Sequence, residues 1–111
     1  MSISYAAEKF STARKCLMLP HIDGEAHSIR DAFLACDLGL KDLDRRILDD
    51  SARAWVRKLD EFMNTGGIAD TEGKGSWLSK AETLSIDDMI ELSRIVDELA
   101  DWFYEKELTD N

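Results

Sequence analysis

The sequence predicts an all-α fold, and three observations support this class. In four segments of the chain, apolar residues recur at spacings of three and four, which is the period of one helix face. No segment shows the strict alternation of apolar and polar residues that a half-buried strand requires. The chain has 111 residues, of which 44% are hydrophobic, and this is enough to bury one core. We therefore expect a single helical domain over residues 1–111, a four-helix bundle with antiparallel neighbours where connections are short.

The first two helices are marked by their apolar spacing and by residues that end helices. We expect the first from about Ile3 to Met18, because Pro20 cannot continue it. The second should begin near Asp23, a suitable N-cap, and end at Gly39 in a left-handed conformation. Its expected core face consists of Ile22, Ala26, Ile29, Phe33, Cys36 and Leu40.

The third helix is expected from about Asp44 to Asn64, with a regular part that starts at Asp49. Its predicted core stripe consists of Leu48, Ala52, Trp55, Val56, Leu59, Phe62 and Met63. The opposite face alternates charges one turn apart, which favours ion pairs within the helix. These expected pairs are Arg46 with Asp50, Asp49 with Arg53, and Arg57 with Glu61. Such a face neutralises itself and predicts no partner.

Residues 65–85 form an unusually long connection that contains four of the six glycines of the chain. We expect Gly66 and Gly67 to end the third helix, and residues 68–75 to form an exposed glycine-rich loop. A short extra helical turn should follow from Ser76 to Thr83, with Trp77 covering one end of the core. The sequence that begins at Ser85, with Asp88 three residues later, predicts a capping box that opens the fourth helix.

The two cysteines and the absence of a membrane segment indicate a cytoplasmic protein. Cys16 lies near the expected turn between the first two helices, and Cys36 lies near the far end of the second helix. At 1.5 Å per residue the two thiols should be roughly 20 Å apart, too far for a disulfide. Both are expected to be small buried residues in a reducing compartment. The N-terminal residues lack the pattern of a signal peptide, and no apolar run is long enough to span a bilayer.

The fourth helix carries most of the charge of the protein. Residues 85–111 hold nine carboxylates against two basic residues, which accounts for −7 of the net charge of −9. A sequence pI of about 4.6 argues against binding to nucleic acid or to an anionic membrane, since both need clustered Lys and Arg. The expected core stripe of this helix consists of Met89, Leu92, Ser93, Val96, Leu99, Ala100 and Phe103. The opposite face is acidic and includes Asp87, Glu91, Glu98, Asp101 and Glu105.

Two helices have apolar residues beyond the stripe that one packing partner needs. Ile95 and Trp102 lie between the core stripe and the acidic face of the fourth helix, and Leu34 and Leu38 lie away from the core face of the second. Either the bundle buries these edges itself, or they belong to a protein interface. A large aromatic residue among carboxylates suits contact with a basic protein. The predicted partner-binding residues are therefore Glu91, Ile95, Glu98, Trp102, Leu34 and Leu38.

No complete catalytic, cofactor or metal-binding motif is present in the sequence. We therefore interpret the chain as a cytoplasmic protein-binding module, not an enzyme, that needs no cofactor. Its partner would be a protein with a basic surface or a second copy of the chain. Small acidic helical proteins of this kind include immunity proteins, antitoxins and other inhibitors of enzymes that act on nucleic acids.

One half-motif supports an enzymatic alternative. The segment Glu98-Leu-Ala-Asp101 resembles one of the two carboxylate pairs with which MazG-like nucleotide pyrophosphohydrolases hold Mg²⁺. The resemblance implies metal-dependent pyrophosphate hydrolysis by carboxylates of the fourth helix. In that family a second pair, E-x-x-E, stands on another helix. Here the acidic pairs with this spacing all lie in the C-terminal segment: Asp88/Glu91, Glu98/Asp101 and Glu107/Asp110.

Overall fold

The computed structural model describes residues 3–18, 24–67 and 75–109, and it confirms the all-α class. These residues contain five α-helices and one 3₁₀ turn, and no strand. The α-helices are α1 (Ile3–Leu17), α2 (Glu25–Leu40), α3 (Asp50–Met63), α4 (Ser76–Glu82) and α5 (Ile86–Thr109), and the 3₁₀ turn is Arg45–Ile47. The predicted stop at Pro20, the predicted cap at Asp23 and the predicted loop over residues 68–74 lie outside the described residues. Among the described residues, no helix is both long and apolar enough to cross a bilayer.

Gly39 brings α1 and α2 into close contact. It is buried inside the last turn of α2, and the prediction that it ends this helix in a left-handed conformation is wrong. A Cβ atom on Gly39 would lie 3.0 Å from the Cβ atom of Lys9 and 3.2 Å from the ring of Phe10. The left-handed conformation occurs two residues beyond the helix, at Asp42, whose φ is 64°. Gly39 therefore serves close packing, whereas the sequence pattern indicated a turn.

The register of α1 and α2 also corrects the expected distance between the cysteines. Gly39, near the end of α2, lies against the middle of α1. Asp31, one-third of the way along α2, is close enough to Cys16, near the end of α1, for its charge to raise the pKa of that thiol. The helices are therefore antiparallel, and Cys36 and Cys16 are offset by about three residues, or roughly 5 Å along the axis. The expected 20 Å was too large because it placed the start of α2 level with the end of α1. Both thiols are free; Cys36 is buried as expected, whereas Cys16, expected to be buried, is half-buried.

The start of α3 lies where the sequence placed the regular part of the third helix. Asp49 is its N-cap, and the backbone N–H of Ala52 donates a 2.8 Å hydrogen bond to the Asp49 carboxylate. The preceding residues form the separate 3₁₀ turn, so Arg46 does not share a helix face with Asp50. Arg46 instead contacts Asp44 at 3.0 Å, which corrects the predicted pair.

The connection to α5 is helical where predicted. In α4, Trp77 is half-buried, its ring meets Phe33 edge-on at 6.4 Å, and its indole N–H donates to the carbonyl of Met63 at 3.2 Å. The capping box is confirmed in both directions. The N–H of Asp88 donates to Oγ of Ser85, and the N–H of Ser85 donates to Oδ2 of Asp88, each at 3.1 Å.

The long helix α5 packs against both α1 and α3, whereas α2 packs against α1 and α4. Phe10 and Phe103 stack in the centre, with ring centroids 5.0 Å apart. Buried residues from all five helices join one hydrophobic cluster. Because α5 has neighbouring helices on two sides, its buried stripe is wider than a single neighbouring helix would produce. The width of this stripe determines which residues of α5 remain at the surface.

Candidate partner-binding groove beside helix α5

A groove of about 450 Å³ opens between the start of α3 and the C-terminal half of α5. It combines two indole rings with several carboxylates, and we call it the tryptophan groove. Its lining consists of Ile47, Asp49, Trp55, Glu98, Asp101, Trp102, Glu105, Lys106 and Thr109. Both tryptophans are half-buried, so each side chain has a part packed on the protein and a part open to solvent.

Asp49 and Phe103 hold Trp102 in place. The indole N–H of Trp102 donates to Oδ2 of Asp49 at 3.1 Å, and its ring meets Phe103 edge-on at 5.1 Å. The same carboxylate accepts the capping bond from Ala52. The Ala52 N–H, followed by the Trp102 N–H, lowers the pKa of Asp49 below its usual value of 3.8, because both bonds favour the charged form. Trp102 is thus oriented by the residue that starts α3.

The carboxylates of α5 give the groove an excess of negative charge. Arg14 of α1 contacts Asp101 at 3.0 Å and Asp97 at 3.1 Å, and it partly neutralises that end. Glu98 and Glu105 form no ion pair with another described residue. Arg94, one turn before Glu98, acts on it only at longer range, and Lys106 in the groove acts on Asp49. The two glutamates, two turns apart on α5, therefore retain carboxylates that can contact a further cation.

Of the predicted partner-binding residues, the structure brings Glu98 and Trp102 together in the groove. Ile95 is 0% exposed, so the bundle buries this residue itself, and its predicted partner-binding role is wrong. Glu91 and Trp102 lie on the same side of α5 as Ile95, and both contact α3, through Lys58 and Asp49. The physical reason for the burial is therefore that α3 runs along this side of α5. Trp102 lies two turns further along, beside the first residues of α3, and is covered only in part. Ser93, expected in the core stripe, is exposed.

The other three predicted residues lie outside the groove. Glu91 contacts Arg94 at 2.8 Å and Lys58 at 3.6 Å, and Arg94 is the main cause of the lowered pKa of Glu91. On α2, Leu34 is 48% exposed and Leu38 is half-buried, and neither lines the groove. The structure therefore does not gather the six residues into one surface.

Sequence reasoning missed the contribution of α3 to this site. Trp55 was expected in the core stripe, but it stands at the edge of that stripe and remains half-buried. The sequence predicts Asp49 as the start of a regular helix and as a partner of Arg53, and it indicates Lys106 only as a charge. The available signal was one large indole ring on or beside the core stripe of each helix, Trp55 on the third and Trp102 on the fourth. The pairing of these helices was not evident from either stripe alone.

The chemistry of the groove suits a bound cation with an extended apolar part. Within residues 3–18, 24–67 and 75–109, no group of three or more His, Cys, Asp or Glu side chains is arranged to hold a metal ion. Glu98 and Asp101, the pair that resembles half of the pyrophosphohydrolase site, both line the groove, but Arg14 engages Asp101. Comparisons of the chain with protein-family models, with curated proteins and with solved structures give no match.

Proposed function

We propose that this chain is a non-enzymatic protein-binding module that holds a basic side chain of a protein partner in the tryptophan groove. The observation that carries the proposal is the position of two unpaired glutamates, Glu98 and Glu105, beside the half-buried rings of Trp55 and Trp102. The proposal concerns a protein partner in the cytoplasm, and it requires no cofactor.

An arginine or lysine would use both components of the groove. A guanidinium or ammonium group over an indole face is attracted by the ring, by about 0.5–1 kcal/mol at an exposed site. The apolar stem of such a side chain can pack on the rings while its charge meets the glutamates. Trp102 is already held by Asp49 and Phe103, so little side-chain freedom would be lost on binding.

The charge of the whole chain favours a basic partner. A net charge of −9 attracts a positively charged surface and speeds its association at low ionic strength. Enzymes that act on nucleic acids commonly present such surfaces, because they bind phosphates through Lys and Arg. The specific form of the proposal is therefore an immunity protein, antitoxin or similar inhibitor that covers the basic surface of such an enzyme.

A peptide titration tests the groove without knowledge of the natural partner. Tetra-arginine amide is added at an ionic strength of about 0.15 M, and binding is followed by calorimetry and by tryptophan fluorescence. In the variant E98Q/E105Q the affinity should fall about tenfold, because two close charge pairs are lost. The matched control is E8Q/E61Q, which removes the same charge from exposed positions on α1 and α3 outside the groove. This control should change the affinity less than about twofold, since distant surface charges are screened.

Three results would contradict the proposal. Equal losses in the two variants would mean that the peptide senses only net charge. Binding that leaves tryptophan fluorescence unchanged would place the peptide elsewhere. Mg²⁺-dependent hydrolysis of nucleoside triphosphates that disappears in E98Q would replace the binding module with the enzymatic alternative. Light scattering on the free chain determines whether it self-associates, and a dimer that persists in E98Q/E105Q would place that contact elsewhere.

A further inference from the structure

A second groove, on the opposite flank of α3, is lined mainly by arginines. It has a volume of about 380 Å³ and lies between the 3₁₀ turn and α3. Trp55 and Arg57 are two residues apart, about 200° around the helix, so the two grooves share α3 but face different directions. We call this second groove the arginine cleft. Its lining consists of Arg45, Arg46, Leu48, Arg53, Val56, Arg57 and Asp60.

The concentration of arginine is high for a chain with this charge. Four of the seven arginines of the protein lie within thirteen residues and line this one cleft. Arg45 contacts Asp60 and Arg46 contacts Asp44, each at 3.0 Å. Arg53 and Arg57 make no ion pair and no side-chain hydrogen bond with another described residue. Two of the four guanidinium groups therefore remain available.

The positions of Arg53 and Arg57 do not favour the stability of α3. They stand four residues apart on one flank, where like charges repel, and the predicted pair of Arg57 with Glu61 is absent from the ion pairs of the described residues. Arg53 also lies within the first turns of α3, where the helix dipole disfavours a cation. The carboxylate expected to neutralise it, Asp49, is bonded to Trp102 on the other flank. An anion from outside the chain would relieve both unfavourable effects.

We propose that the arginine cleft binds a small ligand that carries a phosphate or pyrophosphate group, through Arg53 and Arg57. The planar guanidinium group presents paired N–H donors that match the oxygens of a phosphate. The buried side chains of Leu48 and Val56 provide an apolar floor for the rest of the ligand. The dimensions of the cleft and the net charge of −9 favour a compact anion over a nucleic acid strand, which the rest of the surface repels.

Titration with inorganic pyrophosphate at constant ionic strength tests this site. Calorimetry should show saturable binding by the unmodified chain. In R53Q/R57Q the affinity should fall at least about tenfold, because charge-assisted hydrogen bonds are lost. The matched control R30Q/R94Q removes two arginines from α2 and α5 outside the cleft, and it should change the affinity less than about twofold. The groove variant E98Q/E105Q should bind pyrophosphate as the unmodified chain does, which separates this site from the tryptophan groove.

Several outcomes would overturn the proposal. Absence of saturable binding, or an equal loss in R53Q/R57Q and R30Q/R94Q, would exclude a dedicated anion site. Citrate that binds as tightly as pyrophosphate would exclude a preference for phosphate. Tetra-glutamate that binds more tightly than pyrophosphate would assign the cleft to an acidic protein segment. Circular dichroism of each variant confirms that it is folded before binding is compared.

Discussion

At the scale of single residues, Asp49 connects the fold to the candidate site. Its carboxylate accepts the backbone N–H of Ala52, which starts α3, and the indole N–H of Trp102, which belongs to the end of α5. One side chain therefore fixes where a helix begins and how an aromatic ring is presented. Both roles need the charged carboxylate, since hydrogen bonds to ionised acceptors are the stronger ones.

This double role predicts a pH-dependent effect of D49N. The pKa of Asp49 is lowered by the Ala52 and Trp102 bonds, so the carboxylate stabilises the fold above its unfolded value of 3.8. That contribution is lost as the pH falls through the still lower pKa of the folded state. We expect D49N to have a lower Tm than the unmodified chain at pH 7, and the difference to disappear in strong acid. Thermal unfolding followed at 222 nm between pH 7 and pH 2 measures it.

The neighbouring carboxylate provides the control for this experiment. Asp50 is exposed and makes no side-chain hydrogen bond with another described residue. D50N should therefore lower the Tm less than D49N at pH 7. A D49N variant as stable as the unmodified chain at neutral pH would show that the two bonds to Asp49 contribute nothing to folding.

At the scale of the elements, the ends of helices could be predicted from the sequence, whereas the packing of one helix against another could not. The capping box at Ser85 and the start of α3 at Asp49 depend on hydrogen bonds between residues three apart, so the sequence contains all the information needed. Gly39 and Ile95 were misplaced because their environments depend on other helices. In a sequence, a glycine that permits close packing of two helices cannot be distinguished from a glycine that ends a helix. The burial of Ile95 follows only once it is known that α3 lies on that side of α5.

The same reasoning explains why the tryptophan groove was only half predicted. Trp102 and Glu98 were identified from the periodicity of one helix. Trp55 and Asp49 come from a second helix, more than forty residues earlier in the chain. A groove between two helices is a property of their pairing, and one sequence without relatives does not specify that pairing.

Close packing of α1 and α2 predicts that Gly39 does not tolerate a β-branched residue. In G39V the Cβ atom alone would lie 3.0 Å from Cβ of Lys9, and this contact cannot be relieved by rotation of the lysine side chain. The helices would have to separate beside Phe10, which is fully buried. We expect the free energy of unfolding in urea to fall by about 2 kcal/mol, typical of overpacking.

The control for G39V is A54V at an exposed position within α3. It introduces the same side chain into a helix without a neighbour to clash with, so only helix propensity should be lost, about 0.6 kcal/mol. If the two variants lose similar stability, the close approach of α1 and α2 at Gly39 does not constrain the fold.

At the scale of the whole molecule, charge is sorted around α3. One flank of this helix faces the acidic carboxylates and indole rings of the tryptophan groove, and the other faces the arginine cleft. The net charge of −9 therefore conceals two surfaces of opposite sign. The two proposed ligands, a basic side chain and a phosphate group, would not compete for the same residues, and each can be tested with the other site intact.

Because one hydrophobic cluster joins the five helices, we expect the helices to unfold together. Its buried residues come from all five helices, so loss of one helix would expose apolar surface on its neighbours. Helix content at 222 nm reports on every helix, whereas fluorescence reports on Trp55, Trp77 and Trp102 in α3, α4 and α5. We expect both signals to give the same urea midpoint and the same slope. A fluorescence transition at lower urea than the loss of helix would show that the helices around the tryptophans separate first, and the chain would then not be one cooperative domain.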